Sequence, residues 1–416
     1  MSLGIALGVM SLLIWLGIVL HPARPWDFQP VGDDGEVPPA PPQWPSVAIL
    51  VPARNERDAL PHTLPALLLQ DYPGPFAVIV IDDRSQDSTA EIAKTLASEV
   101  GPSSKLTVIE GQPLPQGWVG KVWALEQGAA HCGLQIADCG LTEGYSPSFP
   151  NPKSHLPTPK YLLLTDADIR HAPGSLRRLV AESERARLAL NSRMARLRCL
   201  SPAERLLIPP FVFFFNLLYP MRHVNDPRSA VAAAAGGCVL LATTALRRVG
   251  GFACIKDRII DDVSLANAVK GKDAAIQLAL SRTEVESLRV YESIEKIWVM
   301  VRRTAFTELR YSWLRLAGTV VGMGLMFFLP PVLTLWGVGC CLGGSTGTPT
   351  MGVLMALSGL SAWLLTVLVY RPAVQFFQLP WVYLWTLPLA GLLFGAMTID
   401  SALRYATGRR IGWRDR

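Results

Sequence analysis

Four uncharged apolar runs decide what this chain can fold into: Leu3 to Leu20, Leu316 to Leu342, Met351 to Tyr370 and Pro380 to Ile399. Each is near or above the roughly 20 residues that cross a bilayer as a helix. Three of them follow one another with no charge inside any run, unlike the amphipathic helices of a soluble core. The first run has no basic segment before it and no small-residue cleavage site after it. It is therefore expected to be an anchor and not a cleaved leader. Soluble chemistry is thereby confined to the stretch between the first run and the second. Charged residues make up only 17% of the 416, against about 25% in soluble domains.

The remaining charges are unevenly placed. The formal net charge is +6, from 39 Lys plus Arg against 33 Asp plus Glu. Arginines crowd the stretch from Arg177 to Arg205, and Arg404, Arg409, Arg410, Arg414 and Arg416 end the chain. No aromatic-interleaved basic motif accompanies them, so nucleic acid is not the implied partner. Such clusters favour anionic headgroups and the cytoplasmic face. A multi-pass protein of the cell inner membrane, with its main domain in the cytoplasm, is expected. Arg24 and the Arg-rich tail both favour the inside, yet three full spans between them would put the tail outside. One of the last segments is therefore expected to be re-entrant or interfacial, broken at Pro330-Pro331 or at Pro380 and Pro388. The seven cysteines include no CxxC pair, which supports neither a disulfide framework nor a zinc site.

Between the membrane segments the pattern is that of an α/β domain. SVAILV (Ser46–Val51), FAVIVI (Phe76–Ile81), Lys105–Ile109 and YLLLT (Tyr161–Thr165) are short apolar runs alternating with helical patterns. They predict parallel strands covered on both faces, with a further strand near Leu188–Leu197. Gly133 to Pro159 lacks periodicity and reads as a surface loop. LLIPPFVFFFNLLY (Leu206–Tyr219) is too short and too interrupted by proline to span, so an interfacial element is expected there. The implied organisation is an anchor (1–21), a Pro/Gly-rich linker (22–45), a soluble domain (46–310) carrying the interfacial segment 206–220, membrane segments (311–400) and a basic tail (401–416).

Acidic clusters fall where apolar runs end. Asp82-Asp83 closes the second strand, Asp166-Ala167-Asp168 the fourth, and Asp261-Asp262 follows Ile259-Ile260. In open α/β sheets ligands bind outside the carboxyl ends of strands. Residues two apart at a strand end share a face, so Asp166 and Asp168 can present both carboxylates at one rim. Crowded carboxylates repel, and a hard divalent cation relieves the repulsion. Mg2+ or Mn2+ takes few carboxylates together with substrate phosphates. DxD after an apolar strand thus suggests a metal–diphosphate clamp, although the pattern alone recurs in ordinary loops. Asp82-Asp83 alone would serve as a turn or helix cap. His62, His131, His171 and His223 show no ligand spacing.

Order and spacing carry more than any single motif. VPARNE (Val51–Glu56), DDRSQDST (Asp82–Thr89), GWVGKVWALEQG (Gly117–Gly128), TDAD (Thr165–Asp168), GGCVLLATTALRRVGGF (Gly236–Phe252) and IDD (Ile260–Asp262) together resemble the inverting enzymes of glycosyltransferase family 2. SPAERLLIPPFVFFFNLLYP, VNDP and RRTAFTELRYS resemble more closely the hopene-associated glycosyltransferase group, related to ceramide glucosyltransferases. The resemblance implies a GT-A fold, that is, an α/β nucleotide-diphospho-sugar transferase domain with a Rossmann-like mixed sheet, flanked by N- and C-terminal transmembrane helices. It also implies a nucleotide-sugar donor, a UDP-sugar in particular, a lipid acceptor related to hopanoids, and a divalent metal, Mg2+ or Mn2+. Pro52, Arg54, Asn55 and Glu56 would line the nucleotide, Asp83 would accept from the base, and Lys121 would sit near the donor. Asp168 would coordinate the metal, with Asp166 touching sugar or ribose or assisting at the metal. Asp262 would be the general base for the acceptor hydroxyl.

Two positions depart from the family pattern. The catalytic pair is usually Glu-Asp and is here Asp261-Asp262, which keeps the second carboxylate and shortens the first. The QxxRW motif of processive and ceramide-type relatives is replaced by MVRRTAF (Met300–Phe306). Arg303 takes the place of that motif's arginine and no Trp follows, which disfavours a processive polymerase. An arginine there would hold diphosphate by bidentate hydrogen bonds; a plain juxtamembrane arginine is the alternative. Two other functions stay open, transfer to a polyprenyl phosphate and an inactive membrane scaffold. The first acceptor is already an anion and needs no general base; intact Asp83, DxD and Asp262 speak against the second. A nucleotidyltransferase is disfavoured because VPARNE is not a Gly-rich, Lys/Arg-bearing loop.

Overall fold

The computed structural model describes residues 3–28, 38–100, 105–134, 158–272, 274–342 and 349–408. Nearly all of the expected loop at 133–159, part of the linker and the end of the basic tail lie outside these residues. In chain order the elements are α1 (Leu3–Leu20), β1 (Val47–Ala53), α2 (Leu60–Leu68), β2 (Phe76–Asp82), α3 (Thr89–Val100), β3 (Leu106–Glu110) and α4 (Gly120–His131). Then come β4 (Tyr161–Leu164), β5 (Ile169–His171), α5 (Ser175–Ala186), β6 (Leu190–Met194), α6 (Pro202–Leu218), α7 (Met221–Asn225) and β7 (Val239–Ala242). After them follow α8 (Thr243–Val249), α9 (Asp261–Lys270), β8 (Ile276–Leu280), β9 (Val285–Ser287) and α10 (Ile294–Glu308). Four helices close the chain: α11 (Trp313–Met323), α12 (Leu329–Leu342), α13 (Pro349–Phe376) and α14 (Leu387–Ala406). The chain divides into two compact units, one holding the strands, the other holding α1, α6 and α10 to α14.

In the strand-bearing unit a seven-stranded sheet has the order β3-β2-β1-β4-β7-β6-β8. Every residue of β1 is buried, which is why its sequence is continuously apolar and does not alternate. The first four strands are parallel, as their apolar runs predict. The sheet as a whole is mixed, because β7 runs antiparallel to both β4 and β6. In this register Ala53 pairs with Asp82 and Leu50 with Leu164, so β1, β2 and β4 end at one edge. Their loops therefore bring Arg54, Asp83 and Asp166 to the same side. A separate two-stranded sheet joins β5 to β9, pairing Ile169 with Ser287. One sequence expectation fails: Asp261 and Asp262 end no strand but stand in the first turn of α9. The positive end of the helix dipole favours carboxylates there.

The other unit is helical. Among the described residues four helices are long and apolar enough to cross a membrane: Leu3–Leu20, Trp313–Leu342, Pro349–Phe376 and Leu387–Ala406. The prolines at 209 and 210 do not break α6. A capping box starts it, with Ser201 Oγ accepting from the Glu204 N–H at 3.1 Å and the Glu204 carboxylate accepting from the Ser201 N–H at 2.9 Å. Leu207, Ile208, Val212 and Phe213 are buried, and Phe213 meets Tyr370 ring to ring. The segment expected at the interface is thus a helix packed among helices. Small residues set the register of the long ones. Gly337 lies against Gly352 and Ala356, and Gly359 against Pro330 and Thr334, so α12 and α13 run antiparallel.

The placement of α14 bears on the charge conflict in the sequence. Gly391 lies against Phe327 and Gly395 near Met323, while Tyr405 stacks on Tyr311 at 4.5 Å. Helix α14 therefore runs antiparallel to α11, and its last turn sits where α11 begins. Beyond Phe327, α12 continues to Leu342, about 22 Å further at 1.5 Å per residue. The chain leaving α13 climbs to Trp385, whose ring meets Trp363 at 5.3 Å, and turns at Pro388 into α14. We propose that residues 377–406 form a re-entrant hairpin, leaving by the face through which they enter. In a variant stripped of native cysteines, new cysteines at Arg310 and Thr407 should react with an impermeant thiol reagent from the same face. Labelling of the two from opposite faces would overturn this topology.

Candidate active site

The site is assembled around one ammonium group. Lys121, in the first turn of α4, places Nζ 2.8 Å from Asp166 Oδ1 and 3.3 Å from Asp261 Oδ2. Burial works against its charge, but Asp166, Asp261 and Asp262 together outweigh burial and hold its pKa above the ordinary value. Two segments 95 residues apart, TDAD and the start of α9, are thus joined by one side chain from a third. Pro52, Thr165, Gly236 and Asp262 line the same small pocket.

Asp262 is aimed by the main chain. Its Oδ2 accepts from the Gly236 N–H and its Oδ1 from the Val263 N–H, both at 2.8 Å. Burial, reinforced by the Asp261 charge and opposed by Lys121, pushes its pKa up to about 6. Gly236 leaves little room for a side chain: a Cβ would lie 3.0 Å from Lys121 Nζ and 3.2 Å from Asp262 Oδ2, so that one of them would have to give way slightly. The neighbouring loop is tied back to the strand end. Thr165 Oγ1 donates to the Gly237 carbonyl at 2.9 Å and lies 2.9 Å from His171 Nε2. Burial lowers His171 to about 4, so the ring is neutral and its Nε2–H donates to Thr165.

The remaining acids have cationic partners too. Asp168 Oδ2 accepts from Arg289 Nε at 2.6 Å, and Arg289 Nη2 lies 3.8 Å from Glu56 Oε1. Burial raises the Asp168 pKa, with Asp166 adding to the effect and Arg289 opposing it. Asp83 is fully buried and accepts from Arg54 Nη1 at 3.1 Å. The loops carrying Arg54 and Asp83 are laced together: the Asn55 N–H donates to Ser85 Oγ, the Gln86 N–H to Asn55 Oδ1, and the Glu56 N–H to Thr89 Oγ1, each at 2.9 Å. Asn55 adopts φ 53°, a left-handed conformation that asparagine tolerates better than most residues.

A model of glycosyl transferase family 21 matches residues 154–416. The chain belongs to glycosyl transferase family 21. A model of glycosyl transferase family 2 matches residues 48–136. The 4,4'-diaponeurosporenoate glycosyltransferase of Staphylococcus aureus is 35% identical over 94 residues, which is 22% of this chain and 22% of that protein. The chain thus matches about a fifth of that relative's length. The mannosyltransferase PcManGT of Pyrobaculum calidifontis, solved with GDP-Man and Mn2+, aligns over 98% of this chain and 100% of its own. Its TM-score is 0.51 at 17% identity, a likeness of GT-A fold.

Of the residues that the sequence singles out in this family 21 chain, Lys121, Asp166, Asp261 and Asp262 come together directly. Arg54 and Asp83 form a second cluster, and Asp168 and Glu56 a third around Arg289. Arg303 is on α10 in the helical unit, where its buried Nε has no hydrogen-bond partner among the described residues. Arg289 was not legible in the sequence, since only the β5–β9 pairing brings it to Asp168 across 121 positions. Among the described residues no group of three or more His, Cys, Asp or Glu is placed so that it could hold a metal ion by itself. A Gly236→Ala substitution should displace Lys121 or Asp262 and reduce glycosyl transfer about tenfold or more, with little change in melting temperature. Transfer at the wild-type rate would show that the pocket tolerates the methyl group.

Proposed function

We propose that this chain transfers a sugar, with inversion, from a nucleotide-diphosphate donor to the hydroxyl of a lipid acceptor. The observation carrying this reading is Lys121 bound to Asp166 and Asp261 at 2.8 and 3.3 Å. That contact joins the strand-end acids that would face a donor diphosphate to the helix-start acids that would face an acceptor. Asp83 beside Arg54 offers a buried carboxylate suited to the N–H of a uracil base, which favours a UDP-sugar. The apolar helices and the resemblance to the hopene-associated group favour a hopanoid-related lipid, met at the cytoplasmic face of the inner membrane.

In this reading the acceptor oxygen attacks the anomeric carbon as the bond to the diphosphate breaks, and its proton passes to Asp262. The two backbone N–H groups on Asp262 fix the direction in which it accepts that proton. Lys121, on the donor side of the same pocket, places a positive charge where the diphosphate departs. Asp166 and Asp168 are hard oxygen donors at one rim and too few to enclose an ion. Mg2+ or Mn2+ takes few carboxylates and would complete its shell from phosphate and water. A divalent ion bound there would supply neutralisation of the charge on the leaving diphosphate.

A panel of nucleotide sugars with extracted lipids tests the reading, product being followed by mass spectrometry. Asp168→Ala should abolish transfer, and EDTA should stop the wild type; full turnover in EDTA would remove the metal from the scheme. Asp262→Asn keeps size but loses basicity, so transfer should fall by about 10²–10⁴ with donor affinity within a few-fold. Because Asp262 must be ionised to accept a proton and its pKa is raised to about 6, the wild-type rate should decline as pH falls through about 6. That limb should be absent in Asp262→Asn. A mutant with undiminished transfer would instead indicate an acceptor that is already an anion, such as a polyprenyl phosphate.

A further inference from the structure

Strand β6 departs from the pattern of its sheet. A strand covered on both faces is apolar throughout, as β1 is, yet β6 reads LNSRM and its Asn191, Ser192 and Arg193 are fully buried. Burying a polar side chain costs free energy unless it finds partners. Asn191 and Arg193 share one face and are occupied there: Arg193 Nη1 donates to Asn191 Oδ1 at 2.8 Å, Arg193 Nη2 donates to Glu182, and Asn191 Nδ2 donates to the Leu179 carbonyl at 3.2 Å. Ser192 points the other way, into the turn that precedes β7. Its Oγ accepts from the Ala235 N–H at 2.9 Å and donates to the Cys238 carbonyl at 3.0 Å, with the Ala235 carbonyl a second acceptor at 3.3 Å. The Cys238 N–H closes the turn on the Ala235 carbonyl at 3.1 Å. One hydroxyl thus clamps both ends of Ala235–Cys238. The second residue of that turn is Gly236, whose N–H donates to Asp262 Oδ2 at 2.8 Å.

We propose that Ser192 positions the proton acceptor: by clamping this turn it holds the Gly236 N–H on Asp262 and so fixes where the carboxylate points. The proposal rests on the reading of Asp262 as general base. Ser192 is a positioning residue and touches no reacting atom. Thr165 grips the same turn from the end of β4, at the Gly237 carbonyl, so loss of the Ser192 hydroxyl should loosen the turn without unseating it. A turn loosened on one side lets the Gly236 N–H drift, and the carboxylate drifts with it. Asp83, Asp166 and Asp168, the acids assigned to the donor, stand on other loops, so donor affinity should not follow.

Two measurements on the purified full-length protein test this. Hydrogen exchange, read by mass spectrometry with no substrate present, should be on the order of tenfold faster for the peptide N–H groups of residues 235–238 in Ser192→Ala than in the wild type. Glycosyl transfer to extracted lipids, from whichever of UDP-glucose, UDP-N-acetylglucosamine and GDP-mannose the protein accepts, should fall about tenfold at saturating donor, with donor KM within about twofold. In the Asp262→Asn background Ser192→Ala should change the residual transfer by less than about twofold, because a side chain that cannot take the proton gains nothing from being aimed. Wild-type exchange or wild-type transfer in Ser192→Ala, or an equal loss of transfer in both backgrounds, would overturn the positioning role and leave Asp262 as the base. Undiminished transfer in Asp262→Asn would overturn the base reading and this proposal with it. Should Ser192→Ala fail to fold, Ser192→Cys decides: its thiol is a weak donor and a weak acceptor, and wild-type exchange and transfer there count against the role.

Discussion

Carboxylates gathered at one edge of a sheet repel one another, and the fold of the strand-bearing unit is arranged around the relief of that repulsion. At an effective dielectric near 20, two such charges 4 Å apart cost about 4 kcal/mol. Lys121 offsets this by meeting Asp166 and Asp261 at once. The parallel register of β1, β2 and β4 brings the strand-end acids to one side, and α9 supplies the last pair from its first turn. Without a cation between them the carboxylates would repel one another or take up a proton. With it, each has an electrostatic reason to stay where the apolar core already puts it.

Much of this was readable in the amino-acid order, for reasons that can be named. Buried parallel strands must be apolar throughout, so β1, β2 and β4 announce themselves, and an acid just after such a strand has only one edge to occupy. The start of α9 was harder. Ile259-Ile260 before two acids has the look of a strand end, and nothing local distinguishes it from a helix start. Arg289 was out of reach altogether, because its partner is set by the pairing of two three-residue strands far apart in the chain. The backbone hydrogen bonds on Asp262 were equally hidden, since Gly236 resembles any glycine of a turn.

The helical unit shows a complementary limit. Apolar length alone marks four candidate spans, while the arginine distribution argues that not all of them can cross. The re-entrant hairpin proposed for residues 377–406 would reconcile the two signals through side-chain register, where Gly391 meets Phe327 and Tyr405 meets Tyr311. Proline also behaves differently in the two settings. At 388 it opens a helix, where its missing N–H is harmless. At 209 and 210 it is carried inside α6, whose other side chains are held by neighbouring helices.

Among the described residues, the hydrogen bonds that orient Asp262 come from two peptide N–H groups. Peptide groups survive substitution; a side-chain partner does not. The surroundings of this carboxylate are therefore free to drift, provided that position 236 stays a glycine in a closed turn and α9 keeps its first turn. A pocket wall of this kind can change shape while Asp262 goes on pointing the same way.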